Sequence, residues 1–372
     1  MKKIFLTFLL FTLVNLFVFS VDFEFSGEIK TGFYTEQIKD QSSTRSKSVI
    51  HNNDGDSGEK EARIRLNFSM EYKNIGMRTR YTQITFRPYD IFQTEFVYAY
   101  ADIFSNQLKV SAGMLGESPW GTKGPDLWVD VDNLLGIRFE WTPNFLPGLN
   151  LGFVVNRYNA TGQQIASMYM QNFYDLLMDS VLGIAYDTDY FAFNFAYRFD
   201  SDADWAFNGN EGAAFVYRAE EKLLRRFIPG FQIWLNGHYF GIGSVENERE
   251  FFENWAYIFY YHANFTANLN VKHYYNVKQN GQTVLYKPTF LYKLFDNFLN
   301  IGLGLGLETG YGTGRNYSDS VINYWYLEPQ VRVNLNSNAY LAILYNFTDK
   351  FENIDGDKSA THWLNIRLCY NF

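Results

Sequence analysis

Residues 61–73 read EARIRLNFSMEYK, and apolar and polar side chains alternate through the whole stretch. One phase holds Ala62, Ile64, Leu66, Phe68, Met70 and Tyr72, and the other holds Arg63, Arg65, Asn67, Ser69 and Glu71. Successive side chains of a β-strand point to opposite faces of the sheet. The stretch therefore predicts a strand with one apolar and one hydrophilic face.

The same two-residue period recurs along the rest of the chain. It is clearest over residues 191–199, 301–308 and 341–347, where large apolar residues occupy every second position. Such stretches run for about 10 residues or more, which is the length of a tilted strand that crosses a membrane. Strands of ordinary soluble sheets are shorter, at about five to six residues. The pattern favours a membrane-crossing sheet over the alternative, a soluble β-protein with an aromatic core.

The composition narrows the class of protein further. Aromatic residues make up 19% of the 372 residues, charged residues also make up 19%, and the chain has one cysteine, Cys369. So many rings exclude a disordered chain, and a single cysteine excludes a disulfide scaffold. The formal net charge of −8 argues against nucleic acid as a partner, because phosphates bind net positive surfaces.

The segments that connect the predicted strands are of two kinds. Short turns are expected at 74–76, 105–107, 145–149, 187–189, 227–231, 265–268, 296–297 and 336–338. The other connections are more polar and mostly longer: 35–60, 117–131, 159–177, 201–210, 243–252, 311–319 and 348–359, with brief ones near Pro88 and Gly281. Short turns at one end and long loops at the other are typical of a transmembrane barrel. We expect an all-β, antiparallel up-and-down β-barrel of about 18 strands, or 16 if the brief connections are misread.

The first residues predict export. A basic pair, Lys2 and Lys3, precedes an apolar run over residues 4–19. A short basic head, an apolar core and a small residue at the cut describe a secretory signal peptide. We expect residues 1–20 to be the signal peptide and residues 21–372 to form one barrel domain. An uncleaved anchor helix is the alternative.

The C-terminal segment ends on an aromatic residue and keeps the alternation. Its apolar phase holds Leu364, Ile366, Leu368, Tyr370 and Phe372. The segment resembles the closing strand of outer-membrane β-barrels of diderm bacteria, the porin class, and matches no particular porin family. The resemblance implies a barrel in outer-membrane lipid, with periplasmic short turns and external long loops. It also implies that Tyr370 and Phe372 form the signal that the barrel-assembly machinery reads.

In such a barrel the hydrophilic phase of each strand faces the lumen. The basic residues expected in the pore wall are Arg63, Arg65, Arg78, Arg80, Lys109 and Arg138. General porins fold their third loop inward so that its acids face a basic cluster. The resemblance implies the same for loop 117–131, whose acids include Glu117, Asp126 and Asp130. Charges that line a narrow passage set its ion preference, so we expect mild anion preference. Alternatively, the acids hydrate an external loop and the arginines pair locally.

A set of rings falls on the hydrophilic phase of later strands. These candidate lumenal aromatics are Trp234, Tyr260, Tyr274 and Tyr324. A row of lumenal rings is similar to the path of sugar-specific channels. A register error of one residue would instead place the same rings against lipid.

The function expected from these patterns is passive diffusion of small polar solutes through a water-filled lumen. A sugar-selective channel and a non-conducting adhesive or structural barrel are the alternatives. The five histidines are scattered over distant strands without a paired nucleophile, so we expect no enzyme, and no cofactor or metal. A homotrimer is compatible with the architecture.

Overall fold

The computed structural model describes residues 21–40, 44–50, 63–83, 93–116, 119–120, 122–123, 128–129, 135–158, 180–199, 213–242, 250–277, 281–311, 322–350 and 359–372. The predicted signal peptide lies outside these ranges. Within them, no helix has both the length and the apolar character that a membrane crossing requires.

The alternating stretches form β-strands. The first are β1 (Asp22–Asp40), β2 (Thr44–Ile50), β3 (Arg63–Tyr72), β4 (Ile75–Gln83), β5 (Gln93–Ile103), β6 (Leu108–Met114), β7 (Thr122–Lys123), β8 (Trp128–Val129), β9 (Leu135–Trp141), β10 (Leu149–Tyr158) and β11 (Val181–Asp187). The others are β12 (Phe191–Arg198), β13 (Ala213–Glu221), β14 (Phe231–Ile242), β15 (Phe251–His262), β16 (Phe265–Asn276), β17 (Gly281–Leu294), β18 (Leu299–Tyr311), β19 (Ile322–Asn334), β20 (Ala339–Lys350) and β21 (Ser359–Asn371). A single helical turn, α1 (Leu224–Phe227), precedes β14.

The strands close into a barrel. Neighbours pair in antiparallel order, and β1 pairs with β21 from Glu28↔Asn371 to Asp40↔Ser359, which removes the free edges. Both β2 and β3 pair with the same side of β1. The main sheet contains 19 strands, and because β2 and β3 share one position the barrel has 18. The prediction of about 18 strands is confirmed, and β7 and β8 form a separate pair.

Two predicted connections are corrected. The polar segment 35–60 is not a surface loop throughout, because its residues 35–40 continue β1 and residues 44–50 return as β2. The turn expected at 265–268 lies at 263–264, where Ala263 has a positive φ of 47°. The other short turns lie at or beside their predicted positions.

Exposure alternates along the strands and separates an outer from an inner face. On β18, Ile301, Leu303 and Leu307 are exposed, whereas Gly302, Gly304 and Glu308, which alternate with them, are buried. A strand in hydrocarbon satisfies its backbone groups through its neighbours and turns apolar side chains outward. The exposed apolar phase is therefore the lipid-facing one, and the other phase faces the interior of the barrel.

Part of that interior is filled by packed side chains. A cluster of buried residues lies mainly on the inner face of β10 to β15 and also takes in Tyr98 and Tyr100 of β5. Its other members are Leu115, Trp120, Val154, Val181, Ala196, Ala214, Val216, Phe240, Trp255, Tyr257 and Phe259. This cluster is a packed protein core on part of the β10–β15 side of the barrel interior.

Candidate functional site

Three arginines lie side by side on the inner face of β3 and β4, and two of them share a carboxylate. Arg65 Nη2 lies 3.0 Å from Glu95 Oε1, and Arg80 Nη1 lies 3.6 Å from Glu95 Oε2. Arg80 Nε also donates to Asn67 Oδ1 at 2.7 Å, directly across the strand pair. These contacts fix two guanidinium groups against the barrel wall. The third arginine is Arg78.

Arg78 differs from its two neighbours in having no carboxylate partner. Among the described residues, no carboxylate oxygen lies within 4.0 Å of its guanidinium group. The group lies 5.7 Å from the centre of the Tyr100 ring, whose hydroxyl donates to Glu71 Oε2 at 2.8 Å. Arg78 is also exposed. As far as the structure describes the chain, Arg78 therefore presents to the lumen a positive charge that no carboxylate pairs with.

Two further basic residues continue along the inner face to β6 and β9, and both are paired. Lys109 Nζ lies 3.7 Å from Asp102 Oδ1 and 4.6 Å from the centre of the Tyr100 ring. Arg138 is buried; its Nε lies 2.8 Å from Glu140 Oε1, and its Nη1 donates to the Gly116 carbonyl at 3.0 Å. Arg138 is thus a structural part of the wall.

The remaining predicted basic residue, Arg63, is described at its backbone only. It begins β3 and pairs with Lys30 of β1. This register gives it the same phase as Arg65, and its side chain lies outside the described part of the protein.

The connection between β6 and β9 lies inside the barrel at Trp120, one of its described residues. Trp120 is fully buried, and its Nε1 donates to Asn150 Oδ1 at 2.7 Å. The indole covers Gly152 of β10 and Gly183 of β11, which pair across the strands, and a Cβ on either glycine would overlap the ring. Both glycines are on the inner face, so Trp120 is seated against the inside of the wall.

The short strand β7 lies further along the same connection. Cα atoms of β7 lie within 8 Å of Cα atoms of β13, which is four barrel positions beyond β9. The three predicted constriction acids, Glu117, Asp126 and Asp130, lie outside the described residues. Their place relative to the arginines stays a prediction.

The candidate lumenal aromatics divide into different groups. Trp234 and Tyr274 have the inward phase, where they pair with Tyr257 and Thr283 of the neighbouring strands. The prediction for Tyr260 is wrong, because it shares the outer phase of β15 with the exposed Ile258. Both faces of β15 carry rings, so its alternation does not reveal which phase faces lipid.

Tyr324 is described at its backbone only. It pairs with Glu308 in the inward register, and its side chain lies outside the described residues.

Sequence reasoning missed the inward rings of β5. Phe96, Tyr98 and Tyr100 lie on the inner face opposite Arg80, Arg78 and Gly76 of β4. The shift in register between β4 and β5, beside Phe96, hides this phase from a simple alternation. Asp102 could have revealed this face, because it lies on the same face of β5 as Tyr98 and Tyr100. A charged residue on a membrane strand points to the lumen.

The two residues of the predicted assembly signal lie on the outer face, where β21 meets β1. The Phe372 ring covers Gly27, and the two residues exchange backbone hydrogen bonds of 2.8 and 3.0 Å. Tyr370 stacks on Phe372 with ring centres 6.0 Å apart. Their recognition by the assembly machinery stays a prediction.

No protein-family model matches the sequence, and no curated protein matches it. The fold does have relatives among solved structures. OccK7 (OpdD) of Pseudomonas aeruginosa is 10% identical with a TM-score of 0.55, covering 94% of this chain and 99% of that one. OmpF of Salmonella typhi, solved in complex with daunomycin, is 12% identical with a TM-score of 0.52, covering 94% and 97%. The fold is that of an outer-membrane porin. At these identities the likeness to known porins concerns the fold.

Proposed function

We propose that the protein is an outer-membrane channel through which small polar solutes diffuse passively. The observation that carries the proposal is the closed 18-strand barrel, with an apolar outer face and exposed charged groups on part of its inner face. The porin fold of its structural relatives supports it. The same relatives support a non-enzymatic role.

Conductance across a planar lipid bilayer tests this function directly. Purified, folded protein should add discrete current steps at constant voltage. A non-conducting adhesive or structural barrel, which is the alternative from another class, would add none. Swelling of liposomes that contain the protein should fall smoothly as solute size increases.

A sugar-selective channel receives less support from the positions of the rings. Tyr257 and Trp255 are buried in the interior cluster, and Tyr260 is on the outer face. Uptake of maltose-series sugars at a rate independent of their length would favour a sugar-selective channel over one that selects by solute size alone.

We propose that the third connection, residues 117–131, folds into the lumen and narrows it. The seat of Trp120 on Gly152 and Gly183 and the position of β7 beside β13 support this proposal. Crossing from β6 to β13 inside the barrel would leave the open passage against β1 and β3 to β5.

We propose a mild preference for anions, which rests on the guanidinium of Arg78, exposed on the inner face and without a carboxylate oxygen within 4.0 Å in the described part of the protein. The zero-current potential in a salt gradient should show a permeability ratio above one for chloride over potassium. Arg78→Gln should lower that ratio, because it removes one positive charge from the inner wall. Clear cation selectivity of the unmodified protein would contradict this preference.

We also propose that the protein is exported by its N-terminal segment and inserted by the barrel-assembly machinery. Residues 1–20 would be removed as a signal peptide, which the intact mass of the protein from outer membranes would reveal. Tyr370 and Phe372 would be read by the barrel-assembly machinery. A homotrimer is the assembly to test by mass measurement in detergent.

A further inference from the structure

A recess of about 570 Å³ opens on the inner face beside the arginines. It lies over β1, β3, β4 and β5, and it borders the buried cluster at Phe96 and Tyr98. Pro119, the residue before the seated Trp120, closes one side of it. The recess is therefore bounded by the barrel wall and by the connection between β6 and β9.

Two opposite charges face this recess without forming an ion pair. Glu24, Ser69 and Arg78 occupy adjacent positions across β1, β3 and β4. Glu24 accepts a hydrogen bond from Ser69 Oγ at 3.2 Å, and among the described residues no cationic nitrogen lies within 4.0 Å of it. Glu24 and Arg78 are separated by two strand spacings, about 10 Å between Cα atoms. Both are exposed, so both charges remain available to a third group.

The side of the recess next to Arg78 is apolar. Phe96 and Tyr98 line it together with Pro119. The Arg80 guanidinium lies 4.9 Å from the centre of the Phe96 ring. The guanidinium of the buried Arg138 lies 5.6 Å from the centre of the Tyr98 ring. These contacts hold both rings in place. A small apolar group could pack between the rings and Pro119 without displacing either arginine.

We propose that this recess binds a small zwitterion with an apolar side chain, of the class of an aromatic α-amino acid. The solute carboxylate would lie against Arg78, its ammonium group against Glu24, and its side chain against Phe96 and Pro119. The proposal rests on the proposed function, because it assigns a solute class to that lumen.

The distribution of charge favours a zwitterion over a simple anion. Glu24 would repel an anion, and Glu71 and Asp22 lie one position further toward the short turns on the same face. Glu95 already offsets the nearest other cations, Arg65 and Arg80. A simple cation would be repelled by Arg78. A solute with both charges satisfies Glu24 and Arg78 together.

The experiment compares four solutes as blockers of single-channel current in a planar bilayer. L-phenylalanine carries both charges and a ring, 3-phenylpropanoate lacks the ammonium group, 2-phenylethylamine lacks the carboxylate, and glycine lacks the ring. L-phenylalanine should reduce the current at a concentration about ten-fold or more below that required for each of the other three.

Variants assign the effect to the recess. Glu24→Gln and Arg78→Gln should each weaken block by L-phenylalanine about ten-fold or more, because each removes one charge-assisted hydrogen bond. Arg332→Gln is the matched control. Arg332 is an exposed arginine on the inner face of β19, where it lies 3.7 Å from the centre of the Tyr340 ring and bonds to Asn334. This control should leave the block unchanged.

Equal block by 3-phenylpropanoate and L-phenylalanine would overturn the zwitterion proposal in favour of an anion site. Block that is unaffected by both recess variants, or absent from a conducting channel, would also overturn it. A protein that never conducts would instead contradict the proposed channel function. In that case calorimetric titration of the folded barrel with L-phenylalanine still decides whether the recess binds it.

Discussion

Single residues on the inner face have different roles according to their contacts. Gly152 and Gly183 must be glycine because the Trp120 indole occupies the space that a side chain would need. Gly304 is also on the inner face, but a Cβ there would have its nearest neighbour at 3.4 Å, an ordinary contact. The need for glycine therefore differs between positions that look alike in the sequence.

Gly152→Ala should unseat Trp120. The added methyl group overlaps the ring, and such overpacking costs about 1–3 kcal/mol. We expect a lower free energy of unfolding, together with altered or noisier single-channel conductance as the connection moves. Gly304→Ala is the control and should change neither quantity. Identical behaviour of the two variants would refute the seating of Trp120 on Gly152.

Arg78 and Arg138 should respond differently to the same substitution. Arg138→Gln leaves Glu140, whose side chain is 13% exposed, without its 2.8 Å partner, which should lower the free energy of unfolding by about 3 kcal/mol. Arg78→Gln removes an exposed group that has no carboxylate partner among the described residues, and it should lower the free energy of unfolding by less than about 1 kcal/mol. Urea unfolding of the folded barrel in lipid vesicles measures both. Equal losses of unfolding free energy in the two variants would show that the burial of Arg138 does not contribute to stability.

At the scale of the element, the closing pair β21 and β1 brings the two ends of the barrel sequence together. The Phe372 ring packs on Gly27 and lies 5.5 Å from the centre of the Phe25 ring. Phe372 is therefore part of the seam. It is also one half of the predicted assembly signal, so its removal combines two effects.

Phe372→Ala should reduce the amount of folded barrel in the outer membrane several-fold. Phe104→Ala is the control, since that ring is 73% exposed in a turn and takes no part in closure. The folded fraction is measured by the gel mobility of unheated samples. Unfolding of purified protein in lipid separates a loss of stability from a loss of assembly. Wild-type amounts of Phe372→Ala would contradict both roles.

The alternation in the sequence predicted most strands, because lipid on one side and a polar interior on the other impose a period of two. It did not assign the phase where both faces carry rings, as in β15, which is why Tyr260 was placed on the wrong face. It also failed beside the irregular register at Phe96. The fold follows from local patterns, whereas the site depends on register between strands and on the path of the connection that carries Trp120.

At the scale of the whole molecule, the interior of the barrel is asymmetric. Buried side chains fill the face of β10 to β15, and the recess opens over β1 and β3 to β5. No linear reading of charges predicts this division, because it arises from where one connection packs. Fewer of the inward basic residues face a passing solute than the sequence predicts, because Arg138 is buried and paired with Glu140.

Thiol labelling should map this asymmetry. Ser69→Cys lies in the recess and should react with a water-soluble thiol reagent, whereas Val216→Cys lies in the buried cluster and should not. The native Cys369 is buried and should contribute little background. Labelling of the folded protein in vesicles is followed by mass. Equal reaction at both positions would show that the lumen is filled with water on all sides.

The shared position of β2 and β3 has a practical consequence. Both strands are hydrogen-bonded to β1: β2 ends at Ile50 opposite Phe33, and β3 begins at Arg63 opposite Lys30. Ile50 and Arg63 are thus held by the same strand. We expect a reporter peptide inserted between them to leave the pairing of both strands with β1, and so the closure of the barrel, intact.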